Sequence, residues 1–445
     1  MPENISHTHS QKLRNVRYFP PPLELPVYGT FSPKVITYLG RTNYISALEE
    51  KIYVFGIKKE DRMKNIFVFG ASGLGKSKML ETMIRQDVEN GYGLILFDFG
   101  KDLFRSVLEC ISKKRINDVC ILDFYDEKHL PDFNPFAMLS EKFKGVFLED
   151  FLGVLSSYFE EKWNASLEYL FRMIVKTLLA MNKDNNLFTI QKLVQDKDYR
   201  EKITNTLSNE QLKKFWLDDF PRLSLNFYKE TILPLNNFLD NLFEENNYLM
   251  RIFCSKGTIN LEELINQNKI ILINLPFCIF SNRNANFLKE LILLRLKIAG
   301  LLRLDNLSLN PFYVYFDDFE EKNNQKSVLN DLLEFSQKYF FSFTIATQSL
   351  SKISNYLTNF VFNNFCNMVI FGLNTADALR IEKEFASTIK AKDIISLGKQ
   401  EFYIKMIINQ IFYEPFSGET LIVNKSKDQF ASKDSLYLAS QPFFL

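Results

Sequence analysis

Apolar residues fall into short, nearly continuous runs in the first third of the chain and again in its second half. Lys51–Ile57, Ile66–Phe69, Gly93–Asp98 and Val119–Asp123 are rich in β-branched and aromatic residues, and Lys269–Leu275, Phe312–Phe316, Ser342–Thr347 and Asn367–Phe371 repeat that character. Runs of this kind, separated by helical stretches, predict strands of a mostly parallel sheet in an α/β fold. From about 140 to 260 the strand runs vanish. Amphipathic stretches such as Leu167–Leu179 take over there and predict an all-helical insertion domain. The first 30 residues are polar and then proline-rich (Pro20, Pro21, Pro22, Pro26), which predicts an extended or flexible tail. Glu401–Pro415 predicts a hairpin turning near Asn409-Gln410. The expected division is a tail at 1–45, a first core segment at 46–140, the helical insertion at 141–260, a second core segment at 261–425 and a C-terminal tail at 426–445.

Composition narrows the class. A chain of 445 residues with 46% hydrophobic and 24% charged residues has the make-up of an ordinary globular protein. Its formal net charge of +1 excludes a generally basic, nucleic-acid-coating surface, although it leaves room for local contacts. Cys110, Cys120, Cys254, Cys278 and Cys366 form no C-x-x-C pair, and His7, His9 and His129 complete no familiar zinc spacing with them. Reduced thiols and a cytosolic setting are expected. The most apolar long stretch, Phe287–Leu304, is interrupted by Lys289, Glu290, Arg295, Lys297 and Arg303, so it reads as a buried helix and not a membrane span.

The densest chemistry follows the run Ile66–Phe69. Gly70-Ala71-Ser72-Gly73-Leu74-Gly75-Lys76-Ser77 has the form G-x-x-x-x-G-K-S, placed between a predicted strand and a predicted helix in which Met79, Leu80, Met83, Ile84 and Val88 recur at helical spacing. Glycines allow the tight turn that points consecutive N–H groups at phosphate oxygens, and the positive end of the helix dipole faces the same way. Lys76 would reach the β- and γ-phosphates and the Ser77 hydroxyl would ligate Mg²⁺, so the sequence predicts a nucleoside triphosphate site.

Such a site needs an acidic residue at the end of a nearby strand. The run Phe312-Tyr313-Val314-Tyr315-Phe316-Asp317-Asp318-Phe319-Glu320 supplies two, with Asp317 expected to hold the metal and Asp318 to polarise the attacking water. Paired aspartates also serve as N-caps of helices, and that alternative stays open at this point. Phe343-Thr344-Ile345-Ala346-Thr347-Gln348 ends in a glutamine placed to sense the γ-phosphate, although strand ends are often polar. Asp98 ends its own run and suits loop-capping as well as it suits chemistry.

The order of these motifs resembles the FtsK–HerA superfamily of P-loop ATPases, and within it the cytosolic ATPase domain of conjugative type IV coupling and secretion (TraG/TraD-like) proteins. The resemblance runs from about Phe55 to Phe416. Phe55-Gly56-Ile57-Lys58-Lys59-Glu60-Asp61-Arg62 resembles that family's lead-in to the P-loop, and Phe133-Asn134-Pro135-Phe136 its Asn-Pro motif. The block with Trp163 and Phe215-Trp216 is similar to its helical domain, and Lys269–Leu275, the Asp317 strand, Ser336-Gln337-Lys338-Tyr339 and Ala346-Thr347-Gln348 follow in family order. The resemblance implies a RecA-like core, a homo-hexameric ring with ATP and Mg²⁺ at subunit interfaces, and single- or double-stranded DNA or a protein as substrate. It also implies a cytoplasmic protein recruited to secretion or conjugation machinery at the inner face of the membrane. The membrane helices that coupling proteins carry before this domain are not seen in the sequence, so anchorage by the chain itself is not expected.

Two departures bear on activity. Most members have Asp-Glu where this chain has Asp317-Asp318, and a misplacement of about 1 Å costs about two orders of magnitude in rate. The family's arginine before Lys338 is here Gln337, and an arginine finger is worth about 10³–10⁵ in rate. Arg295, Arg303 and Arg380 are the other arginines to consider. Nucleotide binding is expected to survive both departures, while fast hydrolysis is in question. The competing reading is a nucleotide-switched structural subunit of a secretion or pilus-assembly ring with weak hydrolysis. A small-molecule P-loop kinase is disfavoured by the insertion and the motif order.

Overall fold

Strands that are mostly apolar on both faces can only be satisfied with helices on both sides. In the computed structural model they form the parallel centre of one large sheet. The structure describes residues 16–45, 51–100, 102–181, 185–244, 247–253, 259–275, 280–304, 309–321, 327–385, 388–421 and 430–444. His7, His9, Cys254 and Cys278 lie outside them.

Eleven strands make this sheet: β1 (Ile36–Thr42), β2 (Val54–Lys58), β3 (Ile66–Phe69), β4 (Gly93–Asp98), β5 (Val119–Asp123), β6 (Ile270–Asn274), β7 (Phe312–Asp317), β8 (Phe341–Thr347), β9 (Asn367–Ile370), β10 (Glu401–Lys405) and β13 (Phe416–Thr420). Two short strands, β11 (Ile407–Ile408) and β12 (Ile411–Phe412), form a separate hairpin. The order is β2-β1-β13-β10-β9-β3-β8-β7-β4-β6-β5. Strands β9 to β5 in that order run parallel, and β10, β13, β1 and β2 extend the sheet in antiparallel pairing.

Side chains alternate across the sheet as a period of two requires. Ile66 and Val68 of β3 face Met79, Leu80, Met83 and Ile84 of the helix Lys76–Glu89 in one apolar cluster. Phe67 and Phe69 face the other cluster, shared with the long helix Asn282–Arg303 and the helices that follow β5. Between β5 and β6 the described residues form helices only, including Lys144–Phe159 and Ala165–Ala180. There the buried Trp216 donates from Nε1 to Thr177 Oγ1 at 2.7 Å.

The stretch Phe287–Leu304 is the expected buried helix, and its charges have named partners: Lys289 pairs with Glu290, and Arg303 donates to the carbonyls of Tyr339 and Asn310. Arg295 makes a two-pronged ion pair with Glu262, at 2.7 and 2.8 Å, and donates to the carbonyls of Pro135 and Ala137. Lys297 bridges Asp150 of the insertion and Asp331 of the helix Val328–Glu334, each at 2.8 Å. No helix among the described residues is long and apolar enough to cross a membrane.

The N-terminal stretch differs from the expected tail. Ile36–Thr42, counted with the tail on sequence grounds, is a strand of the main sheet. Phe19 is buried beside Tyr403, and its backbone N–H donates to Ser417 Oγ at 2.9 Å. The hairpin turns at Asn409 and Gln410, both with positive φ (53° and 66°). Their N–H groups donate to the buried Asp61 carboxylate at 2.8 and 2.9 Å.

Candidate nucleotide site

The carboxyl ends of β3, β8 and β7 lie side by side, and the residues picked out by the sequence meet there. Strand β3 ends at Phe69, in register with Thr347 of β8 and Ile370 of β9. Its loop is held on both sides, since Gly70 N donates to Thr347 O at 3.3 Å and Ala71 N to Gly372 O at 2.9 Å. A Cβ on Gly70 would stand 2.4 Å from Phe371 Cβ, so only glycine fits. Gly73 (φ 77°) and Gly75 (φ 125°) carry the turn into conformations that side chains disfavour. Gln400 N donates to Leu74 O at 2.7 Å and braces the loop's far side. The helix Lys76–Glu89 then starts with its free N–H groups at the loop, which makes the turn an anion site. Lys76 is buried and arches back so that Nζ donates to Ala71 O at 3.1 Å. Burial pulls its pKa down, opposed by the charges of Asp318 and Asp317.

Asp317 ends β7, almost wholly buried. The Ser77 hydroxyl lies close enough to its carboxylate to draw that group's pKa down. Burial first, and then the charges of Asp318 and Asp98, push the Asp317 carboxyl up to about 7, while Ser77 and Lys76 act in the opposite direction. Its Oδ1 is buried with no hydrogen-bond partner. An orphaned acidic oxygen beside a serine hydroxyl is the donor chemistry of a hard divalent cation that takes its remaining oxygens from phosphate and water. Among the described residues no cluster of three or more His, Cys, Asp or Glu could hold a metal, so an all-protein cage is not what this site offers.

Asp318 follows with φ 52°, an uncommon conformation for a residue with a side chain. Gly100 makes room for its carboxylate, since a Cβ there would stand 3.0 Å from Asp318 Oδ2. The next helix after Asp318 among the described residues begins at Val328, so neither aspartate is an N-cap. Asp98 is a cap: it accepts from Gly100 N at 2.8 Å and from Phe104 N at 2.7 Å, which sets the entry to the helix Asp102–Leu108. Phe319 ties the carboxylate loop to β8. Its N–H donates to Ala346 O and its carbonyl accepts from Thr347 Oγ1, both at 2.9 Å. Gln348 therefore emerges beside both Gly70 and Asp318. Its Oε1 accepts from Lys352 Nζ at 3.2 Å, and Lys352 is ion-paired with Glu320.

Gln337 lies elsewhere. It precedes β8, at the amino-terminal edge of the parallel strands, and accepts from Lys64 Nζ at 3.0 Å. A group at that edge can reach a nucleotide only in another copy of the chain. Arg295 is committed to Glu262, and Arg303 donates to the carbonyls of Tyr339 and Asn310. Arg380 is half-buried on the helix Thr375–Glu384, over the ring of Phe362. Sequence reasoning missed Gly100, Glu320 and Lys352. Only the folded arrangement brings these to the site, and nothing in their spacing marks them.

The strand–loop–helix, the acidic end of β7 and the glutamine at the end of β8 on a mostly parallel sheet define an α/β P-loop nucleoside triphosphatase fold. The same fold is found in the plasmid coupling protein TrwB in complex with ADP and Mg²⁺, at 15% identity and TM-score 0.58, over 84% of this chain and 89% of that one. The unbound bacterial conjugative coupling protein TrwBdeltaN70 matches at 13% identity and TM-score 0.55, over 88% and 89%. VirB4 of Thermoanaerobacter pseudethanolicus matches at 12% identity and TM-score 0.55, over 81% and 89%. No family model matches the chain, and no curated protein matches its sequence. Identities this low show a shared fold.

Proposed function

We propose that this chain is an ATP-binding motor of conjugative DNA transfer or type IV secretion. It would assemble as a homo-hexameric ring with ATP·Mg²⁺ between subunits, work on single- or double-stranded DNA in the cytoplasm, and be recruited to membrane machinery. The observation that carries the reading is the convergence of Lys76, Ser77, Asp317, Asp318 and Gln348 at the carboxyl ends of three adjacent strands. Support for the nucleotide comes from neighbours in fold: TrwB is described in complex with ADP and Mg²⁺, with a GTP analogue and with an ATP analogue.

In this reading Gly70 and Ala71, whose N–H groups are held by neighbouring strand ends, shape the start of the loop, the free N–H groups of Ser72, Gly73, Leu74 and Gly75 bind the phosphates, and Lys76 is the point charge. Ser77 and Asp317 hold Mg²⁺, which neutralises charge on the phosphate oxygens when bound. Asp318 orients the attacking water, and Gln348 donates to the γ-phosphate. The cation that acts across the subunit boundary is unassigned among the arginines, because Gln337 supplies only a neutral amide there.

A second reading has its own observation. Asp318 is a methylene shorter than the glutamate of related proteins, and Gln337 is bonded to Lys64. Both favour a ring subunit that changes shape on ATP binding and turns over slowly. The two readings part on ATP turnover, with and without single- and double-stranded DNA, on material of known oligomeric state. The motor predicts hydrolysis stimulated by DNA in the assembled form and lost in Lys76→Ala. Binding of ATP without DNA-stimulated turnover favours the switch, and unchanged ATP affinity in Lys76→Ala refutes the site.

A further inference from the structure

A side-chain amide has two unlike ends, a carbonyl that only accepts and an NH₂ that only donates. A γ-phosphate presents acceptors, so Gln348 is useful there only with its nitrogen forward. The neighbour at its carbonyl end is Lys352, whose ammonium only donates and stands 3.2 Å from Gln348 Oε1.

Lys352 is itself anchored to the loop that carries the two aspartates. Its ammonium pairs with Glu320, Glu321 N donates to the Lys352 carbonyl at 2.8 Å, and Glu321 and Ile353 form a parallel bridge. On the other side, Ser349 Oγ donates to the buried Asp377 at 2.9 Å and steadies the segment between Gln348 and Lys352.

We propose that Lys352 is a positioning residue: by occupying the Gln348 carbonyl oxygen, under the hold of Glu320, it fixes the amide nitrogen toward the γ-phosphate and so makes the site distinguish ATP from ADP. A reversed amide would give up a charge-assisted hydrogen bond and turn an acceptor toward phosphate oxygens, which is unfavourable on both counts. The ammonium is also near enough to the phosphate loop to bear on Lys76, whose pKa it lowers. Glu320 thereby links the orientation of the sensor to the loop of Asp317 and Asp318, so the two halves of the site register the same nucleotide state. The inference rests on the reading of Gln348 as the γ-phosphate sensor.

The test measures, by calorimetry with Mg²⁺, the affinities for ADP and for a non-hydrolysable ATP analogue, together with kcat. The variants are Lys352→Met, Lys352→Arg, Gln348→Ala and the double Lys352→Met/Gln348→Ala. Lys352 is 32% exposed in its side chain, so these substitutions leave the core intact. Lys352→Met is expected to lower the preference for the analogue over ADP about tenfold, the scale of one oriented hydrogen bond, with ADP affinity unchanged. Lys352→Arg, which keeps donors at the carbonyl, retains most of the preference. The double variant matches Gln348→Ala alone, because Lys352 works through the glutamine.

Equal weakening of ADP and analogue in Lys352→Met would overturn the proposal, as would a double variant worse than Gln348→Ala by the full factor of Lys352→Met. If Gln348→Ala lowers the preference and Lys352→Met does not, the positioning role fails while the nucleotide site stands. A protein that binds neither nucleotide refutes the site and the inference together.

Discussion

The Ser77 hydroxyl comes close enough to the Asp317 carboxylate to lower its pKa, although β8 lies between the strands that deliver the two residues. The helix after β3 carries the serine over the end of β8, and the last residue of β7 meets it from the other side. The end of β8 is therefore enclosed between the phosphate loop and the acidic pair, and Gln348 is the residue that emerges there.

Gly100 is expected to matter to turnover and not to binding. A Cβ at this position would stand 3.0 Å from Asp318 Oδ2, so Gly100→Ala displaces the carboxylate by some tenths of an ångström. Kcat should fall about tenfold, because small misplacements of a catalytic group are costly. ADP affinity measured by calorimetry should stay within twofold, about the scatter of such comparisons. A loss of affinity that parallels the loss of kcat would remove Asp318 from its proposed role.

Restoring the two family features should raise activity. Asp318→Glu combined with Gln337→Arg extends the carboxylate toward water and supplies a guanidinium to a neighbouring copy, where charge grows in the transition state. Steady-state ATPase assays should show kcat rising at least about tenfold, well inside the range of an arginine finger, with KM little changed. The gain should vanish under dissociating conditions, because Gln337 lies at the edge opposite its own chain's phosphate loop. A double variant slower than the starting protein would place the working carboxylate and arginine elsewhere.

Stability should depend on pH through Glu290. Burial pushes this carboxyl up to about 7, the charge of Glu321 adds to that, and Lys289 opposes it. Because its folded pKa is raised, its contribution to stability is fully present below the unfolded value and is lost as pH rises through about 7. Unfolding free energies from urea titrations should fall between pH 5 and about 7 with a slope approaching about 1.4 kcal/mol per pH unit from this group, and level off above. The difference between the wild type and Glu290→Gln isolates that slope, and parallel pH profiles for the two would refute the assignment.

Removing Glu262 should strand a buried cation. Arg295 is almost fully covered, so Glu262→Ala is expected to cost about 3–5 kcal/mol in equilibrium unfolding. Glu262→Gln keeps an acceptor oxygen and should cost less than half of that, about 1–2 kcal/mol. Equal losses in the two variants would mean that the charge, which both remove, and not the acceptor or the packing that glutamine keeps, sets the penalty.

The central sheet was legible because β3 to β9 are buried on both faces, which makes their sequences mostly apolar and rich in β-branched and aromatic residues. Strands β1 and β13 were not, and the reason is specific. Gly40 and Gly418 interrupt their patterns, yet a Cβ on either would stand 2.7 and 3.0 Å from the ring of Phe402. The glycines that hide these strands from a sequence reading let the aromatic ring lie flat across them. At the site, the loop from Gly70 to Ser77 could be read because consecutive residues share one task. Gly100 meets Asp318 and Glu320 meets Lys352 only through the fold, across 218 and 32 positions, and although Lys352 is near Gln348 in sequence, nothing in that spacing marks it. Asp98 looked like chemistry as much as capping until its carboxylate was seen holding the N–H groups of Gly100 and Phe104.

The order in which the strands are laid down has a consequence for synthesis. Both neighbours of β3 are encoded far downstream, as the contact of Phe343 N with Asn65 Oδ1 across 278 positions shows, and Phe19 meets Ser417 across 398. At the usual pace of translation the gap between β3 and β8 lasts about 15–60 s. Throughout that interval the phosphate-loop strand has two open edges, with only the helix Lys76–Glu89 at hand to cover one of its faces, while the insertion helices can already fold on local contacts. A ribosome that stalls before β8 releases a chain with a helical middle and an aggregation-prone start. The nucleotide site is thus among the last parts of the molecule to exist.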